Sequence, residues 1–190
     1  TTQPLWQYRT DPPELRMLVG SCTYINEPDY DRPGKPYGGG YEIFNSMADE
    51  AYDAMVWLGD NIYLREVDFS SISGFVHRYS HARSTPEMQR LLSKGAHYAI
   101  WDDHDFGPND CDGSWVHADW SLEAFNAFWP NPDSGIPGAP ELNATQFLFG
   151  DVAFFLLDNR THRVNHTMGP DKRQILGEAQ RNWLVHALRN

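Results

Sequence analysis

The sequence predicts a layered α/β domain with a parallel sheet, and three observations indicate it. Short apolar runs rich in β-branched or aromatic residues recur along the 190 residues, and such runs are typical of strands covered on both faces. Segments with apolar residues at helical spacing separate these runs, so that strands and helices alternate. Several runs also stop abruptly in polar residues, as strands do at the edge of a ligand-binding sheet.

The strands are predicted from the apolar runs themselves. We place them at residues 15–19, 54–58, 97–101 and 146–157, the last forming a hairpin with a tight turn at Gly150-Asp151. A long loop rich in proline and glycine, residues 26–40, follows the first strand. Its triple glycine is not followed by Lys-Ser or Lys-Thr, so it is not a P-loop, and we interpret it as a flexible active-site loop.

The helices are predicted from apolar spacing and from their first residues. We expect them at residues 43–51, 73–83, 86–93, about 118–129 and 177–189. Thr85 caps the third and Pro86 occupies its first turn, whereas Asp119 or Ser121 caps the fourth. The last helix is expected to bury Trp183, Leu184, Ala187 and Leu188. Because the chain ends after that helix, where a sheet would normally continue, we expect the single domain over residues 1–190 to be incomplete at its C-terminal side.

Composition excludes several classes of protein. The net charge of −11 argues against a nucleic-acid-binding surface, and the acidic excess fits either bound cations or a solvated surface. Two cysteines do not make a disulfide framework. No apolar stretch approaches the ~18 residues that a membrane span needs. The residues Thr1 to Pro4 show neither a basic nor an apolar targeting signal.

Polar residues at four strand ends indicate a metal-dependent active site. These ends carry Gly20-Ser21-Cys22, Gly59-Asp60-Asn61-Ile62-Tyr63, Asp102-Asp103-His104-Asp105 and Asp158-Asn159-Arg160. Ligands collect beyond the carboxyl ends of the strands in open α/β sheets, so we expect these residues to meet at one edge.

Asp60 and Tyr63 are the first candidate metal ligands. Asp60 follows a buried strand directly, where a carboxylate can bridge two cations, and Tyr63 lies close enough to turn back to the same site. A tyrosine ligand indicates Fe(III), whose charge can keep a phenol deprotonated although it normally titrates near ~10. The alternative is that Tyr63 packs in the core with a hydrogen-bonded hydroxyl.

The segment from Asp102 to Asp105 is the second candidate. Its carboxylates repel one another unless a cation offsets them, and not all of its side chains can face the same way. We therefore assign Asp103 to the metal and His104 to the substrate oxygen. Asp102 and Asp105 are assigned to backbone donors or to supporting hydrogen bonds. The alternative is that all four are ordinary loop residues.

Cysteine and arginine residues complete the candidate site. Cys22 at a strand end fits a thiolate metal ligand, although a buried structural thiol or a nucleophile also fits; Cys111 is assigned no role. Guanidinium groups match the oxygens of a phosphate, so Arg160, Arg78 and Arg83 are candidates for binding substrate, with Arg160 best placed. Among the other histidines, only His162 lies near such a residue.

These segments resemble the PhoD-like alkaline phosphatases and phosphodiesterases of the calcineurin-like metallophosphoesterase superfamily. The resemblance rests on Gly-Ser-Cys at 20–22, Trp-Leu-Gly-Asp-Asn-Ile-Tyr at 57–63 and Trp-Asp-Asp-His-Asp-Phe-Gly-Pro-Asn-Asp at 101–110, with further matches at 156–160 and 176–184. It spans roughly residues 15–189, and the combination of Trp-Asp-Asp-His with Gly-Asp-x-Ile-Tyr is specific.

The resemblance implies an α/β/β/α sandwich with metals at the rim of the sheet. It implies Fe(III) held by Asp60, Tyr63 and Cys22, Ca(II) completing the centre, Asp103 on the second metal and His104 assisting the leaving group. It further implies export to the periplasm or the extracellular space. The family's later Gly-Asp-x-His segment has no counterpart before Asn190, so we expect this chain to carry part of the site and to hold its metals weakly.

The sequence therefore predicts the hydrolysis of phosphate monoesters, diesters or both, by a metal-activated water, on small-molecule substrates. Two alternatives remain at this point. One is a catalytically silent module of the same fold that binds a phosphorylated ligand or a partner. The other is a metal-dependent hydrolase of a different ester.

Overall fold

A computed structural model describes residues 14–189 of the chain. The predicted domain extends to residues 1–13 and 190, which lie outside the described residues. Five strands are found in this part of the chain: β1 Met17–Gly20, β2 Ala54–Leu58, β3 Ala96–Ile100, β4 Thr145–Phe149 and β5 Val152–Leu156. The helices are α1 Glu42–Asp49, α2 Ile72–Arg83, α3 Pro86–Leu92, α4 Asp103–Phe106, α5 Ala118–Phe128 and α6 Gly177–Ala187, with short 3₁₀ helices at Glu66–Asp68 and Pro170–Lys172.

The first three strands form a parallel sheet in the order β1-β2-β3, with Val19 opposite Val56 and Trp57 opposite Ala99. The α/β class is thus confirmed. The hairpin is also confirmed, but β5 does not join the parallel sheet: it pairs antiparallel with β4 in a separate sheet of two strands. The polar segment Asp158-Asn159-Arg160, which follows β5, therefore approaches the other strand ends from the second sheet.

Side-chain alternation along β2 divides the core into two parts. Met55 and Trp57 face the helices, where they pack with Phe75, Phe125 and other apolar residues. Ala54 and Val56 face the other way, against Phe149 and Leu156 of the hairpin. The ring of Tyr98 stacks on that of Phe147 with centroids 3.9 Å apart, which joins the two sheets.

The last helix covers the outer side of the hairpin. Trp183 of α6 packs against Phe155 with ring centroids 6.0 Å apart, so the layers run helix, sheet, sheet, helix, as expected for an α/β/β/α sandwich. The prediction that α6 buries four apolar residues is wrong: Trp183, Leu184 and Ala187 are half-buried, and Leu188 follows the helix and is 65% exposed. The fully buried side chain of α6 is that of Gln180.

Helix starts were less predictable than helix positions. Helix α3 begins at Pro86 as expected, although Thr85 makes no capping hydrogen bond through its side chain. Helix α5 begins at Ala118, so neither Asp119 nor Ser121 is its cap. Ser121 is buried inside the helix, where its hydroxyl donates to the carbonyls of Phe106 and His117. Within the described residues no helix combines the length and the apolarity required to cross a membrane.

Gln180 holds α6 to the end of β5, which yields a first prediction. Its amide accepts from the Asp158 N–H at 2.7 Å and donates to the Asp158 carbonyl at 2.8 Å. Replacing it as Gln180→Ala leaves both buried backbone groups without a partner, and we expect a loss of about 1–3 kcal/mol in the free energy of unfolding, measured by urea denaturation. Arg181→Ala, at an exposed position of the same helix, should change stability by less than about 0.5 kcal/mol. Equal stability of the two variants would contradict this role of Gln180.

Candidate active site

Residues that follow β2 and β3 form a compact group, which we call the central cluster: Asp60, Asp103 and His104. Each offers one ligand atom, and these three atoms lie within 4.8 Å of one another. Asp60 comes directly after Gly59 at the end of β2, and Asp103 is the first residue of α4, just beyond β3. Both carboxylates are buried and the imidazole is half-buried.

Tyr63 and Cys22 approach the same carboxylate. The Tyr63 hydroxyl donates to Oδ2 of Asp60 at 3.1 Å, and Sγ of Cys22 lies 3.7 Å from that oxygen. The ring of Tyr63 also packs against that of His104, with centroids 4.2 Å apart. The structure thus brings the four residues expected to bind metal, together with His104, to the carboxyl edge of the parallel sheet.

The backbone at this edge adopts uncommon conformations. Cys22 has φ 62° and Asp60 has φ 52°, in the left-handed region that side-chain-bearing residues rarely occupy. The two loops hold each other there, because the Cys22 N–H donates to the Gly59 carbonyl at 3.2 Å and the Thr23 N–H donates to the Asp60 carbonyl at 2.7 Å. Such conformations cost of order 1–3 kcal/mol each and concentrate at functional sites.

Gly59 lets the two acidic loops pack directly against each other. Its φ is 90°, and a Cβ placed on it would lie 2.6 Å from Cβ of Asp102 and 2.9 Å from its backbone nitrogen. A side chain at this position would push the loop after β2 away from the loop after β3. The approach of Asp60 to Asp103 therefore depends on glycine here.

Asp105 ties the same two loops together with hydrogen bonds. Its fully buried carboxylate accepts from the backbone N–H groups of Asn61 at 3.0 Å, Ile62 at 3.3 Å and Asp102 at 3.0 Å. Burial raises the pKa of Asp105 to about 7, although the N–H groups of Asp102 and Asn61 lower it. This is the supporting role that the sequence analysis assigned to Asp105.

Arg160 faces the central cluster from the second sheet. Its Nε donates to Oδ1 of Asp102 at 2.6 Å, and its Nη2 lies 3.7 Å from Oδ1 of Asp103. The Arg160 side chain is buried, and its guanidinium forms an ion pair with Asp102. The expected role of Arg160 in binding substrate stays a prediction.

Arg78 is not brought to the central cluster. Its Nε donates to Asp68 at 2.8 Å and its Nη1 donates to Glu27 at 2.6 Å, and only 1% of the side chain is exposed. Arg83 is also directed elsewhere, toward the Phe128 carbonyl and the ring of Trp129. The buried Arg78 guanidinium therefore offers no surface to a phosphate, whereas Arg83 is half-buried and packs within the fold.

Comparison with known proteins decides the family. A family model described as PhoD-like phosphatase matches residues 17–190. The chain belongs to the PhoD-like phosphatase family. A solved structure titled "Structure of PhoD" is 20% identical with a TM-score of 0.74, over 98% of this chain and 41% of that chain. At this identity the likeness shows the shared fold, and the chain spans less than half the length of that protein. A comparison with curated proteins found no match.

The central cluster of this PhoD-like chain has the features of a cation site. Oδ1 of Asp60 is buried and has no hydrogen-bond partner among the described residues, although buried carboxylate oxygens normally have one. Burial raises the pKa of Asp60, and the neighbouring Asp103 and Asp102 raise it further, whereas His104 and Tyr63 lower it. A cation beside Oδ1 would satisfy this oxygen and offset the repulsion.

Tyr63 would likewise need a nearby cation in order to act as a phenolate ligand. Burial raises its pKa above the ordinary value, and its neighbours Cys22 and Asp60 raise it further. Without a cation the phenol therefore stays protonated and donates a hydrogen bond to Asp60. Only a strongly charged ion could turn this side chain into a phenolate ligand.

Sequence reasoning gave no role to Asn159, although it lies in the polar segment after β5. Its amide nitrogen donates to Oδ1 of Asp102 at 2.8 Å, and its own carbonyl oxygen is buried with no partner among the described residues. Asn159 thus orients the carboxylate that holds Arg160. Its place at a strand end, between Asp158 and Arg160, was the available signal.

The role of Asp105 leads to a prediction about stability. Asp105→Asn keeps the size of the side chain but replaces one acceptor oxygen with an NH₂ group, which must face either the Asn61 or the Asp102 N–H. We expect the free energy of unfolding to fall by about 1–3 kcal/mol, measured by denaturant titration, because a buried acceptor is lost. Asp133→Asn, at an exposed loop position, is the control and should be neutral. A variant as stable as the unmodified protein would show that Asp105 does not hold the loops.

Proposed function

We propose that this chain carries out the hydrolysis of phosphate esters at the central cluster, with metal ions bound by Asp60, Asp103, Tyr63 and Cys22. The observation that supports this most directly is the buried, unpartnered Oδ1 of Asp60 among groups that all suit a cation. Membership of a phosphatase family supports the same reaction. Both monoesters and diesters remain candidate substrates.

The set of donors indicates which ions would fit. A thiol and a phenol beside a carboxylate suit an iron(III) ion, for which we propose Cys22, Tyr63 and Asp60. Asp103, together with Asp60, would hold a second ion that prefers oxygen ligands, such as Ca(II). When bound, such ions lower the pKa of water and neutralise charge on a phosphoryl group.

His104 is the residue that we propose for the leaving group. Its ring is half-buried, so one part of it is accessible, while packing against Tyr63 limits its rotation. In its protonated form it would donate a proton to the ester oxygen as the bond to phosphorus breaks. The Arg160 guanidinium, held at Asp102 and near Asp103, would stabilise negative charge on the phosphoryl oxygens.

A second candidate function is that of a catalytically silent module of the same fold that binds a phosphorylated ligand or a partner. The observation that favours binding of a partner is the ion pair between Arg160 and Asp102, which occupies a guanidinium that any phosphate would need. A panel of phosphate and carboxyl esters separates the two functions from each other and from a hydrolase of other esters.

We further propose, from the family alone, that the protein is exported.

Metal binding by the central cluster is tested by thermal unfolding. We expect chelation of the purified protein to lower its Tm, and readdition of Fe(III) and Ca(II) to restore it, because an ion that binds only the folded state stabilises it. Asp60→Asn should abolish the shift, whereas Asp133→Asn should retain it. A full shift in the Asp60→Asn protein would place the metal elsewhere.

The role of His104 is tested with leaving groups of different basicity. His104→Gln should lower kcat on an alkyl phosphate by about 10²–10⁴-fold, because an alkoxide needs a proton to leave. The loss on 4-nitrophenyl phosphate should be much smaller, because that phenolate leaves without help. His166→Gln, at an exposed position, is the matched control. Equal losses on both substrates, together with loss of bound metal, would instead make His104 a metal ligand.

A further inference from the structure

A pocket with an aromatic lining opens beside the central cluster. It has a volume of about 380 Å³ and lies between the end of β1, the proline- and glycine-rich loop and helix α1. We call it the aromatic pocket; its walls and floor include Tyr24, Tyr37, Tyr41, Phe44, Met47 and Trp57. An apolar cavity of ~150 Å³ is large enough for benzene, so this one has room for an aromatic ring or a short alkyl chain.

The aromatic pocket supplies no partner for an ion pair. None of the residues that line it, all within the described part of the chain, carries a charged side chain. Two of its tyrosine hydroxyls are engaged outside it: that of Tyr24 donates to Asp31 at 2.7 Å, and that of Tyr41 accepts from the Asn26 N–H at 2.9 Å. For these two tyrosines the ring, rather than the hydroxyl, therefore supplies the surface that a ligand would contact.

The pocket and the central cluster share Cys22. This residue lines the pocket, and its Sγ lies 3.7 Å from Oδ2 of Asp60. Tyr24 forms a second connection, because its ring packs against that of Tyr63 with centroids 4.9 Å apart. A molecule whose phosphoryl group lies at Asp60 can thus place its organic part in the pocket.

We propose that the aromatic pocket binds the neutral aryl or alkyl group of the substrate, so that the chain selects phosphate esters of apolar alcohols. This rests on the proposed phosphoesterase function and adds the class of alcohol to it. Burying an apolar group contributes about 25 cal/mol per Å² of surface, whereas a hydroxyl placed there would give up its hydrogen bonds to water. The contrast predicts selection by the polarity of the alcohol.

Tyr37 is the residue through which the proposal is best tested. It lies on the loop wall, is 45% exposed, and contacts Tyr24 edge-on with centroids 5.1 Å apart. Tyr30 belongs to the same loop, is 53% exposed and does not line the pocket, so it provides a matched control. Met47 of α1 provides a second variant on the opposite wall.

The experiment compares hexyl phosphate with 5-hydroxypentyl phosphate, two substrates of equal length and similar leaving group. We expect kcat/KM to be about 10-fold or more higher for the hexyl ester, and Tyr37→Ala and Met47→Ala each to reduce this ratio by about 3-fold or more. Tyr30→Ala should leave it unchanged. A ratio near one, or equal effects of Tyr37→Ala and Tyr30→Ala, would overturn the proposal.

A binding measurement separates the pocket from the reaction. Hexylphosphonate, which cannot be hydrolysed, should bind about 10-fold or more tighter than methylphosphonate in calorimetry, and Tyr37→Ala should remove most of the difference. If no ester is hydrolysed but this difference is found, the proposed reaction fails and the pocket stands. Equal dissociation constants for the two phosphonates overturn the pocket, whatever the enzymatic activity.

Discussion

The carboxylate of Asp105 joins the two loops on which the candidate site depends. It accepts hydrogen bonds from N–H groups in the loop after β2 and in the loop after β3, and its side chain is fully buried. Because Asp60 precedes Asn61 and Asp103 follows Asp102, a fixed Asp105 also fixes the separation of the two buried ligand candidates. Gly59 makes this possible by removing the side chain that would keep the loops apart. The chemistry of the site thus rests on a residue that need not touch a substrate.

Charge is balanced around the site in two unequal ways. On the side of the second sheet, Arg160 neutralises Asp102 and lies near Asp103. Toward Cys22, the partners of the Asp60 carboxylate among residues 14–189 are a phenol, whose pKa is raised by burial, and a thiol, which is a weak donor. This asymmetry favours the proposed binding of a cation at Asp60, where the described residues supply oxygen and sulfur atoms together with the imidazole of His104.

Local signals predicted where the strands end better than which sheet each strand joins. The apolar run before Gly59 and the acidic run after Trp101 each mark a strand and its polar end, so the convergence of Asp60 and Asp103 could be predicted from sequence. The sheet that β5 joins could not, because it depends on contacts such as Tyr98 with Phe147 between residues far apart in sequence. Arginine was the least predictable residue: Arg78 resembles a phosphate ligand in sequence, and only the folded chain shows its pairing with Asp68 and Glu27.

The contacts that join different loops of the site close long stretches of chain, which has a consequence for folding kinetics. Cys22 reaches Asp60 across 38 residues, Asn61 reaches Asp105 across 44, and Arg160 reaches Asp102 across 58. Closing loops of this length costs entropy, so we expect these contacts to form after both helical crossovers have packed on the sheet. Cation affinity should therefore appear late in refolding, after most helical structure has formed, and ions should speed folding little while strongly slowing unfolding.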